Sequence, residues 1–186
     1  MMVNFKNITT AISLLALLVA CNDSTRQSQE QTSSTAPASE EIVGPEDATT
    51  AILEQYHQLK SALVETDAGK AQKAAAAFVE RTKEIKEKDV PEVYLNAVEA
   101  IQNDVAAIVA SEDIEEQRAL FVPLTDGVYS LTKEFPAEEP VYYAYCPMAF
   151  DDKGGYWLTK EKEILNPYFG DKMLRCGVIK ETIKGR

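Results

Sequence analysis

Histidine, cysteine and methionine are scarce in this chain of 186 residues, which has one, three and four of them respectively. No nucleophile–histidine–acid motif, phosphate-binding glycine loop or pattern for metal-bound water can be recognised, so we expect no enzymatic activity. Basic residues are also few, with 19 Lys and Arg against 30 Asp and Glu and a formal net charge of −11. This balance argues against binding to nucleic acid or electrostatic docking on anionic lipid.

The N-terminus lacks an apolar run long enough to span a membrane, because the run at residues 8–20 is too short. Lys6 precedes that run, and small residues lead into Cys21. This pattern predicts a lipoprotein signal peptide over residues 1–20, with Cys21 as the lipidated residue and acyl chains as the membrane anchor. We therefore expect the protein on the periplasmic side of a bacterial cell envelope. The sequence leaves open whether the inner or the outer membrane carries it.

Large apolar residues are almost absent from residues 21–47, which are rich in Ser, Thr, Gln, Glu and Pro. Such a composition buries too little surface to fold, so this segment is expected to be a flexible tether after the lipidated cysteine. Residues 48–186 have a length that suits a single domain.

Apolar residues recur every three or four positions in four segments between residues 48 and 136, which predicts four amphipathic helices. Asp67, Pro91 and Ser111 are expected to begin the second, third and fourth helices, and Pro123 to kink or break the fourth. Short connections favour an up-down four-helix bundle. Residues 137–186 change to a strand-like pattern and predict a small C-terminal β/loop cap, with strands near 141–146, 156–159 and 178–183. The expected fold class is therefore mostly α.

In residues 48–186 the only sulfur-containing residues are Cys146, Met148, Met173 and Cys176. An extended segment would place the first two on one face, and one helical turn would do the same for the second two. Four such donors favour Cu(I) or Ag(I), whereas zinc prefers more Cys or His. His57 flanks the core stripe of the first helix, as a candidate additional ligand or simply a half-exposed polar residue. No organic cofactor is expected.

A disulfide between Cys146 and Cys176 is the alternative in an exported protein. It would close a loop of about thirty residues and stabilise the cap by roughly 3–4 kcal/mol. Both methionines would then be packing residues. A redox switch, with a disulfide when oxidised and a Cu(I) site when reduced, lies between these two interpretations.

A family resemblance covers about residues 48–183. It is carried by three C-terminal stretches, Cys146-Pro147-Met148-Ala149, residues 155–159 and residues 166–177, and in the helical half by Tyr56, residues 59–63, Gln117-Arg118, Phe121 and Leu124. Together they resemble the bacterial domain-of-unknown-function 3347 family. Its members occur as lipoproteins, and related domains are fused to periplasmic adaptor proteins of copper/silver efflux pumps. The family's Cys-x-Met and Met-x-x-Cys positions match this chain, and Pro123 puts only the straightness of the fourth helix in doubt.

The resemblance implies a membrane-anchored lipoprotein that binds Cu(I) or Ag(I). It would buffer the metal or pass it to an efflux or cuproprotein-assembly partner. The alternative function is a disulfide-stabilised interaction module without metal, which docks on an envelope partner through an exposed loop at residues 166–170.

Overall fold

Four long helices form the first part of the computed structural model, which describes residues 44–186. They are α1 (Pro45–Val64), α2 (Ala68–Lys86), α3 (Glu92–Ala110) and α4 (Ile114–Glu134). The expected signal peptide, Cys21 and most of the expected tether lie outside the described residues. None of the helices in the described part is long and apolar enough to cross a membrane.

The starts of the helices agree with the expected sequence signals in all but two places. Asp67 caps α2 by accepting a hydrogen bond from the Lys70 backbone N–H at 2.9 Å. The first helix begins at Pro45 rather than Ala48, because proline suits a first helical turn. The expected Ser111 cap was wrong: Asp113 caps α4, since its carboxylate reaches the N–H three residues ahead.

The predicted up-down four-helix bundle is confirmed. Each helix packs against the next along the chain, and α1 also packs against α4. The apolar stripes of the four helices make up the core. Their large apolar side chains with no exposed surface are Ile52, Tyr56, Leu59, Leu63, Phe78, Ile85, Tyr94, Val98, Ile101, Val105, Ile108, Phe121, Leu124 and Val128.

Helix α4 continues through Pro123, where the sequence had predicted a kink or a break, and it does not break there. Pro123 and Ala119, whose carbonyl loses its usual N–H donor, both lie on the exposed side of the helix. Water can solvate that carbonyl, while the buried residues Phe121 and Leu124 hold the helix against the bundle on its other side.

The C-terminal part forms the expected strands as one antiparallel sheet. The strands β1 (Val141–Cys146), β2 (Gly155–Thr159) and β3 (Val178–Ile183) are arranged in the order β2-β1-β3. The second strand packs on α4, and the Tyr56 hydroxyl accepts a hydrogen bond from the Leu158 backbone N–H at 3.1 Å. Packing and hydrogen bonding therefore hold the sheet against the bundle.

Candidate functional site

The sulfur atoms of Cys146 and Cys176 lie 2.7 Å apart, with no disulfide bond assigned between them. Cys146 is the last residue of β1, and Cys176 comes shortly before β3. The two strands are antiparallel neighbours in which Tyr145 pairs with Val178. The register of the sheet therefore brings together two cysteines that are 30 residues apart in the chain. We call them the cysteine pair.

Asn166 holds the backbone around Cys176 in place. Its side-chain amide donates to the Cys176 carbonyl at 2.7 Å and accepts from the Tyr168 backbone N–H at 2.8 Å. Its backbone N–H also donates to the Leu174 carbonyl at 2.9 Å. Because Asn166 is fully buried, these bonds are protected from water.

Glycine is required next to Cys176. The backbone φ of Gly177 is 150°, and a Cβ there would come within 2.6 Å of the Trp157 ring. Trp157 itself has no exposed surface. The chain can therefore approach the indole closely only where the side chain is absent.

Arg118 connects this region to the bundle. Its guanidinium donates to the Pro167 carbonyl at 2.9 Å and to the Leu63 carbonyl and the Thr66 hydroxyl at 3.1 Å each. A fourth bond, at 2.8 Å, reaches the exposed carboxylate of Glu115. Arg118 thus joins α4, the α1–α2 turn and the 166–170 loop.

The 166–170 loop is not the exposed contact surface that was expected. Asn166 is fully buried and Tyr168 is 5% exposed. The Tyr168 ring packs edge-to-face against Phe121, Phe150 and Trp157. The loop is turned inward because it fills the space between the bundle and the sheet while Arg118 and Asn166 satisfy its backbone.

Both methionines are close to a paired cysteine in the chain, but the backbone at each differs from the one expected to give a shared face. The extended backbone ends at Cys146, so Met148 has helical angles and is 48% exposed, whereas Cys146 has no exposed surface. Met173 follows a short 3-10 turn, Gly170–Lys172, and its carbonyl accepts from the Cys176 backbone N–H at 3.0 Å. Each thioether is thus within three residues of a paired cysteine.

The environment of Cys176 favours its protonated form. Burial raises the pKa of this thiol to about 11, and the neighbouring Cys146 acts in the same direction. A hydrogen bond from the Met148 backbone N–H to the Cys176 sulfur acts in the opposite direction and lowers this pKa. That bond also shows that the turn after β1 begins beside the Cys176 sulfur. Cys176 therefore holds its proton at neutral pH, and a metal ion or an oxidant would have to displace it.

The sulfur separation can be compared with the two chemistries open to the pair. A disulfide bond is about 2.05 Å long. Two thiolates bound to one metal ion at about 2.3 Å in tetrahedral geometry lie about 3.8 Å apart. The observed 2.7 Å is nearer the first value, so metal binding requires the sulfurs to separate by about 1 Å.

His57 lies away from the cysteine pair. Burial lowers the pKa of His57 to about 3, and the adjacent Lys60 and Lys160 lower it further. Lys160 follows the end of β2, whereas Cys146 pairs with Gly155 at the other end of that strand. The fold therefore does not bring His57 to the sulfurs.

The described residues contain no cluster of three or more His, Cys, Asp or Glu side chains arranged to hold a metal ion. Within three residues of the paired cysteines, Met148 and Met173 each carry a thioether group. Thioethers bind soft ions, so Cu(I) or Ag(I) fits this donor set better than zinc or calcium does.

Sequence reasoning missed the roles of Arg118 and Asn166. Arg118 lies in a helix rich in charged residues and bonds to a carbonyl 49 positions away. Asn166 precedes a proline, which signals a turn but not a buried amide. The local pattern around each residue is that of a surface residue.

The family model described as "Protein of unknown function (DUF3347)" matches residues 52–139. This match confirms the resemblance noted from the sequence. It begins within α1, covers the rest of the bundle and ends before β1, so the cysteine pair and both methionines lie outside the matched residues. No curated protein and no solved structure matches the chain.

Proposed function

We propose that this chain, which belongs to the DUF3347 family, is a cell-envelope lipoprotein that binds Cu(I) or Ag(I). It buffers the ion or passes it to an efflux or cuproprotein-assembly partner. One observation carries the proposal: the cysteine pair joins the two segments that contain all the sulfur of residues 44–186. Thiolate and thioether donors together select soft monovalent ions.

The four side chains have different roles in this proposal. Cys146 and Cys176 are the thiolate ligands, and each loses its proton when the metal binds. Met148 and Met173 are the thioether ligands. Met148 is 48% exposed, so it is the donor that an incoming ion or a partner protein can reach first.

The surroundings suit a site that must keep a reduced ion away from water. Trp157 is buried and packs against Gly177, next to Cys176. Tyr143, Tyr145 and Tyr156 form a continuous stack on the sheet, with ring centroids 4.4–4.6 Å apart. The indole of Trp157 limits solvent access next to Cys176, and the tyrosine stack joins neighbouring strands of the sheet.

The attachment to the membrane rests on the sequence alone. The acyl chains on Cys21 would anchor the protein, and the following segment would let the domain reach partners near the membrane. The acidic composition, with a net charge of −11, favours cations over nucleic acid.

Anaerobic titration of the reduced protein with Cu(I) against a chromogenic chelator tests metal binding. We expect a single tightly bound ion per chain, lost when Cys146 and Cys176 are both changed to Ser. His57→Gln is the matched control and should bind as the parent does, because His57 is remote from the pair. Undiminished binding by both single Cys→Ser variants would refute the proposal.

The 2.7 Å sulfur contact also favours a second candidate, an envelope interaction module in which the cysteine pair is a permanent disulfide. Its docking surface would not be the 166–170 loop, whose central residues are buried. Alkylation of the protein as isolated, followed by mass spectrometry, separates the candidates. Two alkylated thiols in untreated protein would count against the module.

A further inference from the structure

We propose that the cysteine pair is a thiol–disulfide couple that controls access to the metal site, and that Cys176 alone exchanges with external thiols and disulfides. The first half deepens the proposed function and depends on it. The second half depends only on the positions of the two sulfurs.

The metal-bound and disulfide states exclude each other. In a disulfide the two sulfurs are bonded to each other. Neither is then a thiolate that could bind the metal ion. The distances point the same way, since a disulfide needs about 2.05 Å and a shared metal about 3.8 Å. The protein can therefore hold either the bond or the ion.

Closing the disulfide requires little movement. The sulfurs are 2.7 Å apart, and the backbone on both sides is already fixed. On one side Cys146 ends a paired strand, and on the other the Asn166 amide holds the Cys176 carbonyl. The side chains alone can complete the bond, which favours the closed state whenever an oxidant is present.

The two thiols differ in access. Cys146 has no exposed surface, whereas Cys176 is partly exposed. Thiol–disulfide exchange needs an in-line approach of the attacking sulfur, so accessibility decides which sulfur reacts. We therefore expect a bulky reagent to react at Cys176 and not at Cys146.

The oxidant belongs to a defined class, a disulfide carried by a small molecule or by a partner protein. The Cys176 thiolate attacks one sulfur of that disulfide, forming a mixed disulfide and releasing one thiol. The Cys146 thiolate then attacks the Cys176 sulfur and releases the second thiol. In total, the pair loses two electrons and two protons, and the external disulfide is reduced to two thiols. Reduction runs through the same steps in reverse, beginning with attack on Cys176.

Reaction with glutathione disulfide, followed by intact-mass spectrometry, tests the order of attack. We expect Cys146→Ser to accumulate one glutathione on Cys176. We expect Cys176→Ser to stay unmodified while folded, and to react once denatured, which shows that Cys146 is competent when exposed. Equal rates for the two folded variants, or faster reaction at Cys146, would overturn the inference.

A second measurement, limited alkylation of the wild-type protein, tests the same order of reaction without using variants. Reduced wild-type protein is treated with limiting iodoacetamide, and the alkylated cysteine is identified by peptide mapping. Label should appear on Cys176 first. Preferential labelling of Cys146 would overturn the inference even if a variant failed to fold.

Copper titration of the two redox states tests the control of metal binding. We expect oxidised protein to bind no Cu(I) and reductant to restore binding fully. Equal binding by both states would refute the control but leave the proposed function intact. No binding by either state would refute the proposed function and the control together, while the order of attack at Cys176 would still be decided by the labelling.

Discussion

Replacing Arg118 by alanine should cost more stability than any single surface change in this protein. The guanidinium is 1% exposed and donates to the Pro167 and Leu63 carbonyls and to the Thr66 hydroxyl. Hydrogen bonds from a charged donor contribute about 1.5–3 kcal/mol each, and removing the donor leaves buried acceptors without partners. The ion pair with Glu115 adds less than about 1 kcal/mol, since that carboxylate is 61% exposed.

Bonds made by one side chain are not additive, so we predict a loss of about 3–5 kcal/mol in the free energy of unfolding, the range for truncating a buried charged group. Urea denaturation measures it with two signals. The single tryptophan, Trp157, reports on the sheet by fluorescence, and far-UV circular dichroism reports on the helices. With a typical slope for a small protein, the midpoint should fall by roughly 2 M urea.

Two control variants separate the buried bonds from the surface ion pair. Glu115→Gln should change stability by less than about 1 kcal/mol. Arg118→Lys keeps the charge but loses the planar fork that reaches three acceptors on different segments, so it should recover only part of the loss. A stability of Arg118→Ala within about 1 kcal/mol of the parent would refute this reasoning.

Three further predictions concern the pH response, a glycine and the cysteine pair. Because the pKa of His57 is about 3 when folded but 6.5 when unfolded, stability should fall as pH drops from 6.5 towards 3, by up to about 1.4 kcal/mol per unit. Urea titrations should show a shallower fall for His57→Gln, and identical slopes would contradict the assignment. Gly177→Ala should destabilise by about 1–3 kcal/mol through its clash with Trp157. The helical control Gly69→Ala, which meets no close atom, should be neutral or stabilising, and equal melting shifts in the two variants would be evidence against the clash. Oxidising the cysteine pair to a disulfide should raise the free energy of unfolding by roughly 3–4 kcal/mol. Coincident unfolding curves for the oxidised and reduced protein would exclude this stabilisation.

Local patterns were sufficient for the helices and strands. Each helix has an apolar stripe at a spacing that no other regular structure satisfies, and the predicted side chains form the core. The strand boundaries at Val141, Cys146, Val178 and Ile183 follow from a change of period and from flanking turns. Such features depend on residues within a few positions of each other, which is why they can be read before the fold is known.

Competing local signals caused the errors at helix ends and turns. Ser111 and Asp113 both suit an N-cap, and the choice depended on which side chain reached a free backbone N–H. Pro123 was tolerated inside α4 because its helix face points to solvent. Neither outcome can be decided without knowing which side of the helix is buried.

The candidate site was determined jointly. The amino-acid sequence alone singled out Cys146, Met148, Met173 and Cys176, since residue type and scarcity are properties of the chain. Only the tertiary structure brought the two thiols into contact, exposed Met148, placed His57 elsewhere and buried the 166–170 loop. Those outcomes depend on strand register and on hydrogen bonds between distant residues, such as that from Arg118 to Pro167, 49 positions apart. No local pattern encodes such long-range pairings, because their energies depend on how the whole chain packs.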